Sequence, residues 1–254
     1  YGTDKPDLRF GLEIRDLSDI AAQTDFSVFR SAITEGGKVK GICAPGGANY
    51  TRGQLNELSE LVGSLGAGGL LTISLGDSAG NLDDLTIEMV RSVAAKFLTL
   101  DQVREMAKRF DANMGDLLLI IAGGTGLVNM VLSELRQEMG CRLKLVEPDL
   151  LAFAFIVDFP LLQGGEKKGQ WEPMHHPFTA PRDEDMFLLD SAPGKMRGKH
   201  YDLICNGYEI GGGSLRIYTG ELQRKIFSLL GYSREDVEEF FGHLLEAFDY
   251  GAPP

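Results

Sequence analysis

The stretch YDLICNGYEIGGGSLRIY, residues 201–218, restricts the fold of this chain more than any other, because Asn206-Gly207 sits between two runs rich in apolar residues. A two-residue hairpin turn needs positive φ at both central positions, which Asn and Gly adopt readily. The dipeptide therefore predicts an antiparallel hairpin that pairs Cys205 with Tyr208 and Ile204 with Glu209. Side chains alternate along a strand, so Asp202 comes diagonally opposite Glu209 on one face. Like charges so placed repel by a few tenths to about 1 kcal/mol unless a cation lies between them, and a magnesium-phosphate site would relieve them. From spacing alone, a solvent-facing position for either carboxylate accounts for the pattern equally well.

Glycine inside a strand loses backbone entropy and packs nothing, so the run Gly211 to Gly213 asks for a reason. Arg216 lies seven residues beyond Glu209, which strict alternation puts on the opposite face. A one-residue bulge within the three glycines would bring it round. The glycines are then expected to re-aim the arginine and to let a ligand lie on bare backbone. An arginine so placed can clamp a carboxylate with two parallel hydrogen bonds.

Upstream, residues 1–20 read as a lead-in with little periodicity, and 38–44 (KVKGICA) as a short buried strand. Thr51 to Gln54 forms a capping box, opening a helix that turns Leu55, Leu58, Leu61, Val62 and Leu65 inward. With 69–75 as the next strand, the order strand, helix, strand predicts a small α/β unit. After a loop at 76–84 come two helical patterns, the second opened by a capping box from Thr99 to Gln102 and burying Val103, Met106, Ala107 and Phe110. A strand at 116–122 and a helix at 127–139 complete a compact module at about 21–142. Beyond it the chain turns to aromatic-rich strands (LLAFAFIVDFP), the loop 164–170 and the hairpin. Two helices close it, at 222–230 and after a Ser233 cap, the latter with Val237, Phe240, Phe241, Leu244, Leu245 and Phe248 on one face.

The formal charge of -12 argues against sequence-independent binding of nucleic acid by the whole surface, though not against a local contact. Cys43, Cys141 and Cys205 are far apart and odd in number, which argues against a disulfide framework or zinc site. They read as small buried hydrophobes. The apolar runs fall well short of the roughly 20 residues that a membrane-spanning helix needs. With Tyr1 in first place and no leader pattern, the sequence reads as a piece of a longer protein without a secretory signal.

The hairpin string, together with VDFPLL, MHHPFTAP and the opening YGTDKPDLRF, closely resembles bacterial-type aspartyl-tRNA synthetase, a class II aminoacyl-tRNA synthetase. The resemblance runs from the first residue to the last. It implies an α+β fold, an antiparallel sheet flanked by helices and interrupted by a small α/β GAD insertion domain. The module at 21–142 matches that insertion, with 1–20 and 143–254 as parts of the catalytic domain. It assigns Asp202 and Glu209 to the metal of a Mg2+-ATP site, with Glu209 also contacting ATP, and His175 and Arg216 to L-aspartate. His176, which points away from its neighbour in extended chain, is left to support or packing. The implied chemistry is attack of the aspartate α-carboxylate on the α-phosphorus of ATP, then transfer of the aspartyl group to tRNA.

The resemblance further implies a cytoplasmic homodimer with no membrane partner, acting on the aspartate tRNA alone or on the asparagine tRNA as well. Its motifs 1, 2 and 3 are expected outside this sequence, so the chain alone is expected to make no adenylate. One rival reading is a tRNA-associated GAD-domain binding or regulatory module without ligase activity; a second is a class II enzyme for asparagine. The retained Asp202, Glu209 and Arg216 disfavour the first, and the His pair and large insertion the second. Among weaker signals, IIAGGTGLVNMV (120–131) reads as a plain strand-to-helix turn, Lys167-Lys168 as a solvated loop tip and Trp171 as packing beneath the His loop. His200 and His243 have no partner that the sequence identifies.

Overall fold

The structure is a computed structural model describing residues 1–77, 80–165 and 169–252. Lys167-Lys168 therefore lies outside the described residues. The chain divides into two compact units, Tyr1–Ala152 and Phe153–Pro254.

The first unit runs β1 (Arg15–Asp16), α1 (Ser18–Ala21), α2 (Ser27–Thr34), β2 (Lys38–Ala44), α3 (Arg52–Ser64), β3 (Leu71–Leu75), β4 (Val90–Arg91), α4 (Leu100–Arg109), β5 (Leu117–Gly123) and α5 (Thr125–Arg142). Its sheet has the order β1-β2-β5-β3-β4, and every pairing is antiparallel. β2 and β3 are each antiparallel to β5 and so run parallel to one another, which makes the strand-helix-strand run at 38–75 a split β-α-β unit with β5 inserted between its two strands. The central place of β5 explains its unbroken LLLII, since both faces are covered. Leu118 and Ile120 join a core with Ile20, Phe29, Val103 and Met106, while Leu117, Leu119 and Ile121 join another with Leu58, Val62, Val131 and Leu135.

Both capping boxes form: Thr51 and Thr99 accept from the backbone of Gln54 and Gln102, whose side chains reach back. The first helical pattern after the loop instead becomes two 3-10 turns and β4. There the Ser92 hydroxyl accepts from the backbone N–H of Ala94, a local competition that disfavours an α-helix. All three thiols are free, but they are not all the buried hydrophobes expected: Cys141 is exposed and Cys43 half-buried, leaving only Cys205 buried.

The second unit runs β6 (Phe153–Ile156), β7 (Leu162–Gly164), β8 (Trp171–Pro173), β9 (His200–Cys205), β10 (Tyr208–Ser214), α6 (Gly220–Leu229) and α7 (Arg234–Asp249). A three-stranded antiparallel sheet has the order β10-β9-β6, and β7 pairs with β8. Trp171 packs beside a core of Leu161, Leu162, Met196 and Ile217, so tightly that a β-carbon on Gly194 would lie 2.4 Å from its ring. Phe227 stacks on Phe241 with centroids 4.4 Å apart, joining α6 to α7. Ser233 caps α7 with a box closed by Asp236.

Candidate functional site

Asn206 and Gly207 turn the chain at φ values of 51° and 87°, and the predicted pairs Cys205 with Tyr208 and Ile204 with Glu209 are present. The register then slips by one residue between Glu209 and Gly211, so that Gly211 pairs with Leu203 and Gly212 with Asp202. A bulge exists as expected, but at Ile210 and not within the glycines. Alternation from that register puts Glu209, Gly212 and Ser214 on the same side of the sheet as Asp202. The β9–β10 ladder ends at Ser214 opposite His200, and the next Leu215 N–H donates to the Lys199 carbonyl at 2.8 Å; simple alternation along the strand would keep Arg216 on that side.

The glycine run is explained mainly by side chains of the partner strand. A β-carbon at Gly212 would lie 2.7 Å from Oδ1 of Asp202, and one at Gly213 would lie 2.9 Å from the Tyr201 hydroxyl. Asp202 is consequently tucked against bare backbone and is 8% exposed, while Glu209 is open to solvent.

The segment after the His pair lies antiparallel to the end of the hairpin. Thr179 bridges Arg216, with Ile217 N–H donating to the Phe178 carbonyl and Ala180 N–H to the Leu215 carbonyl, each at 2.9 Å. This pairing delivers His176, not His175, to the arginine: Nη1 of Arg216 is 2.7 Å from Nδ1 of His176 and also touches Nε2. The Phe178 backbone N–H donates to the same Nδ1 at 3.2 Å, which fixes that nitrogen as an acceptor and the ring as neutral. Burial first, and the guanidinium second, hold the His176 pKa below the ordinary histidine value.

His175 is exposed and stands edge-on to two rings, Phe159 at 5.2 Å and His200 at 4.2 Å between centroids. His200 stacks on Phe159 at 4.3 Å, is 8% exposed, and has no hydrogen-bond partner for either ring nitrogen among the described residues. Burial pushes its pKa down to about 4, helped by the neighbouring histidines. Sequence reasoning found no partner for His200, because the residues that enclose it are 25 and 41 positions away.

A cavity of about 530 Å3 lies beside Arg216, lined by Phe178, Gln223, Phe240, Phe241 and His243 among others. Among the described residues no three His, Cys, Asp or Glu side chains cluster closely enough to hold a metal by themselves. Asp202 and Glu209 supply two carboxylates on one face, a donor set that fits Mg2+ when the other ligands are phosphate and water oxygens. No helix among the described residues is long and apolar enough to cross a membrane.

The chain is 52% identical over all of its 254 residues to an aspartate-tRNA(Asp/Asn) ligase of Dehalococcoides mccartyi strain BAV1, of which it covers 42%. It is 47% identical to a ligase of the same description from Thermoanaerobacter sp. strain X514 and 44% identical to one from Moorella thermoacetica, covering 41% of each. The chain therefore spans about two fifths of the length of these curated relatives. The sequence model of the family described as tRNA synthetases class II (D, K and N) matches residues 1–254, and the chain belongs to that family.

Proposed function

We propose that this chain is part of a cytoplasmic ligase that activates L-aspartate with ATP and transfers it to tRNA. Arg216 is the residue that selects the amino acid. Its guanidinium takes the aspartate side-chain carboxylate in a bidentate pair, and neutral His176 holds the fork from behind. His175, held edge-on by Phe159 and His200, flanks the same substrate. Asparagine is disfavoured because its neutral amide cannot match the guanidinium fork with two oxygens.

Asp202 and Glu209 hold the metal of Mg2+-ATP, and Glu209 also contacts the nucleotide. Bound Mg2+ neutralises charge that develops on the phosphates. The chain's own part is placement: the aspartate α-carboxylate is brought in line with the α-phosphorus, and pyrophosphate leaves. In this reading residues 21–142 are the GAD insertion, 1–20 and 143–254 belong to the catalytic domain, and the intact protein is a homodimer. The tRNA it charges is that for aspartate, or those for both aspartate and asparagine.

The observation that carries the proposal is the backbone pairing of Thr179 with Arg216, which joins the His loop to the face bearing Asp202 and Glu209. The test is ATP-pyrophosphate exchange by the intact protein. Exchange is expected with aspartate and not asparagine, and Arg216→Met should abolish the aspartate response while leaving the ATP site intact. Exchange that ignores aspartate, or an Arg216→Met variant that keeps the response, would overturn the reading.

A further inference from the structure

We infer that Gln223 is a positioning residue for Arg216, acting through the peptide group that joins Pro177 to Phe178; the inference rests on the aspartate role proposed above for Arg216.

The inward face of α6 carries Gln223, Ile226 and Phe227 at helical spacing, and Gln223 is the one polar member. It is 0% exposed, and its Oε1 has no hydrogen-bond partner among the described residues. A fully buried amide with an orphaned oxygen disfavours folding, so stability alone would select an apolar side chain here.

What the amide does is donate from Nε2 to the Pro177 carbonyl at 2.9 Å. The orientation is fixed, because turning the amide over would set two acceptor oxygens against each other. The Pro177 carbonyl and the Phe178 N–H belong to one planar peptide group and point in opposite directions. Gln223 grips its oxygen side while Nδ1 of His176 accepts from its nitrogen side at 3.2 Å. The same Nδ1 lies 2.7 Å from Nη1 of Arg216. A rigid plane thus links α6 to the guanidinium: a tilt of that peptide turns the His176 ring, and with it the arginine fork. Thr179, whose hydroxyl is 3.4 Å from the same nitrogen, limits ring rotation from the other side.

The experiment is Gln223→Met in the intact protein, which keeps length and volume but removes the donor. Aspartate-dependent pyrophosphate exchange is expected to show a KM for aspartate raised about tenfold, with the KM for ATP unchanged and the melting temperature close to wild type. A purely structural role predicts instead a lowered melting temperature with both KM values moving together or neither moving. Gln223→Glu supplies a second reading, since its protonated acid donates to Pro177 and its carboxylate does not. The ratio of its aspartate KM to that of wild type should fall as pH is lowered. An unchanged aspartate KM in Gln223→Met, in a protein whose wild-type exchange depends on aspartate and on Arg216, overturns this inference alone. Wild-type exchange that ignores aspartate instead defeats the reading of Arg216 on which it rests.

Discussion

Gly212 faces Asp202 across the pairing of β9 with β10, and a β-carbon on the glycine would lie 2.7 Å from the aspartate's Oδ1. Gly211, one residue earlier, has no neighbour within 4 Å of the equivalent position. Neither has a left-handed φ, so the two differ in space and not in backbone strain. Gly212→Ala is expected to push the Asp202 carboxylate off its seat, destabilising the chain by about 1–3 kcal/mol and, on the metal role proposed for Asp202, raising the Mg2+ concentration needed for exchange by the intact protein. Gly211→Ala should be neutral in thermal unfolding, or stabilising by about 0.5–1 kcal/mol. Equal losses from both substitutions would remove the steric argument.

His176 supports Arg216 only while its ring is neutral, and its pKa is held below the ordinary value. Protonation turns an acceptor into a cation beside a cation, so the support is complete above that pKa and is lost as pH falls through it. On the aspartate role proposed for Arg216, the KM for aspartate of the intact protein should therefore rise on the acid side. His176→Gln keeps an acceptor but does not titrate, and its profile should be flatter over the same interval. His176→Phe offers no acceptor at all, and should raise KM by about one to two orders of magnitude at every pH.

These relationships divide by how local their causes are. The Asn206-Gly207 turn and the boxes at Thr51 and Thr99 were legible because each is decided within four residues. The need for a bulge was legible from the spacing of Glu209 and Arg216; its place was not, since two of the glycines are kept bare by Asp202 and Tyr201 on the neighbouring strand. The bridge from Thr179 to Arg216 joins residues 37 apart with no turn signal between them. Sequence reasoning therefore assigned His176 to support or packing without finding the arginine it touches. Gln223 was hidden for a related reason: a glutamine on a helix reads as solvated until its partner, 46 residues away, is known. The order of the first sheet escaped because strand-helix-strand succession cannot reveal a later strand inserted between two earlier ones.

His200 makes stability depend on pH in one direction. Its pKa is about 4 in the folded chain against 6.5 as the ordinary value, so the unfolded state binds a proton more readily between those limits. The contribution is fully present above pH 6.5 and is lost as pH falls through about 4. His200→Phe keeps the stack on Phe159 and removes the titration. Urea midpoints measured from pH 7 to pH 4 should fall less steeply for this variant than for wild type. Parallel curves would show that the histidine is not buried as a neutral ring.

Arg136 is 1% exposed in the middle of α5 and has no carboxylate within salt-bridge distance among the described residues. Its charge faces backbone oxygens instead: the two N–H groups of Nη2 are shared among the carbonyls of Asp7, Phe10 and Gly11 at 2.6, 2.8 and 2.9 Å, and Nε donates to Gly11 at 3.1 Å. The guanidinium carbon lies 4.1 Å from the Phe10 ring centroid and 4.6 Å from that of Tyr1. One planar fork thus fastens the first eleven residues to α5, and Gly140 leaves room for the ring, since a β-carbon there would lie 2.7 Å from Phe10. Arg136→Met would strand three buried carbonyls and is expected to cost about 3–5 kcal/mol in chemical denaturation. Arg136→Lys keeps the charge but loses the flat stack and cannot reach all three oxygens with the same geometry, so an intermediate loss is expected. Hydrogen exchange separates this from a general weakening: amides of residues 1–14 should lose protection in both variants while those of β5 keep theirs, because the fork holds the lead-in and not the sheet.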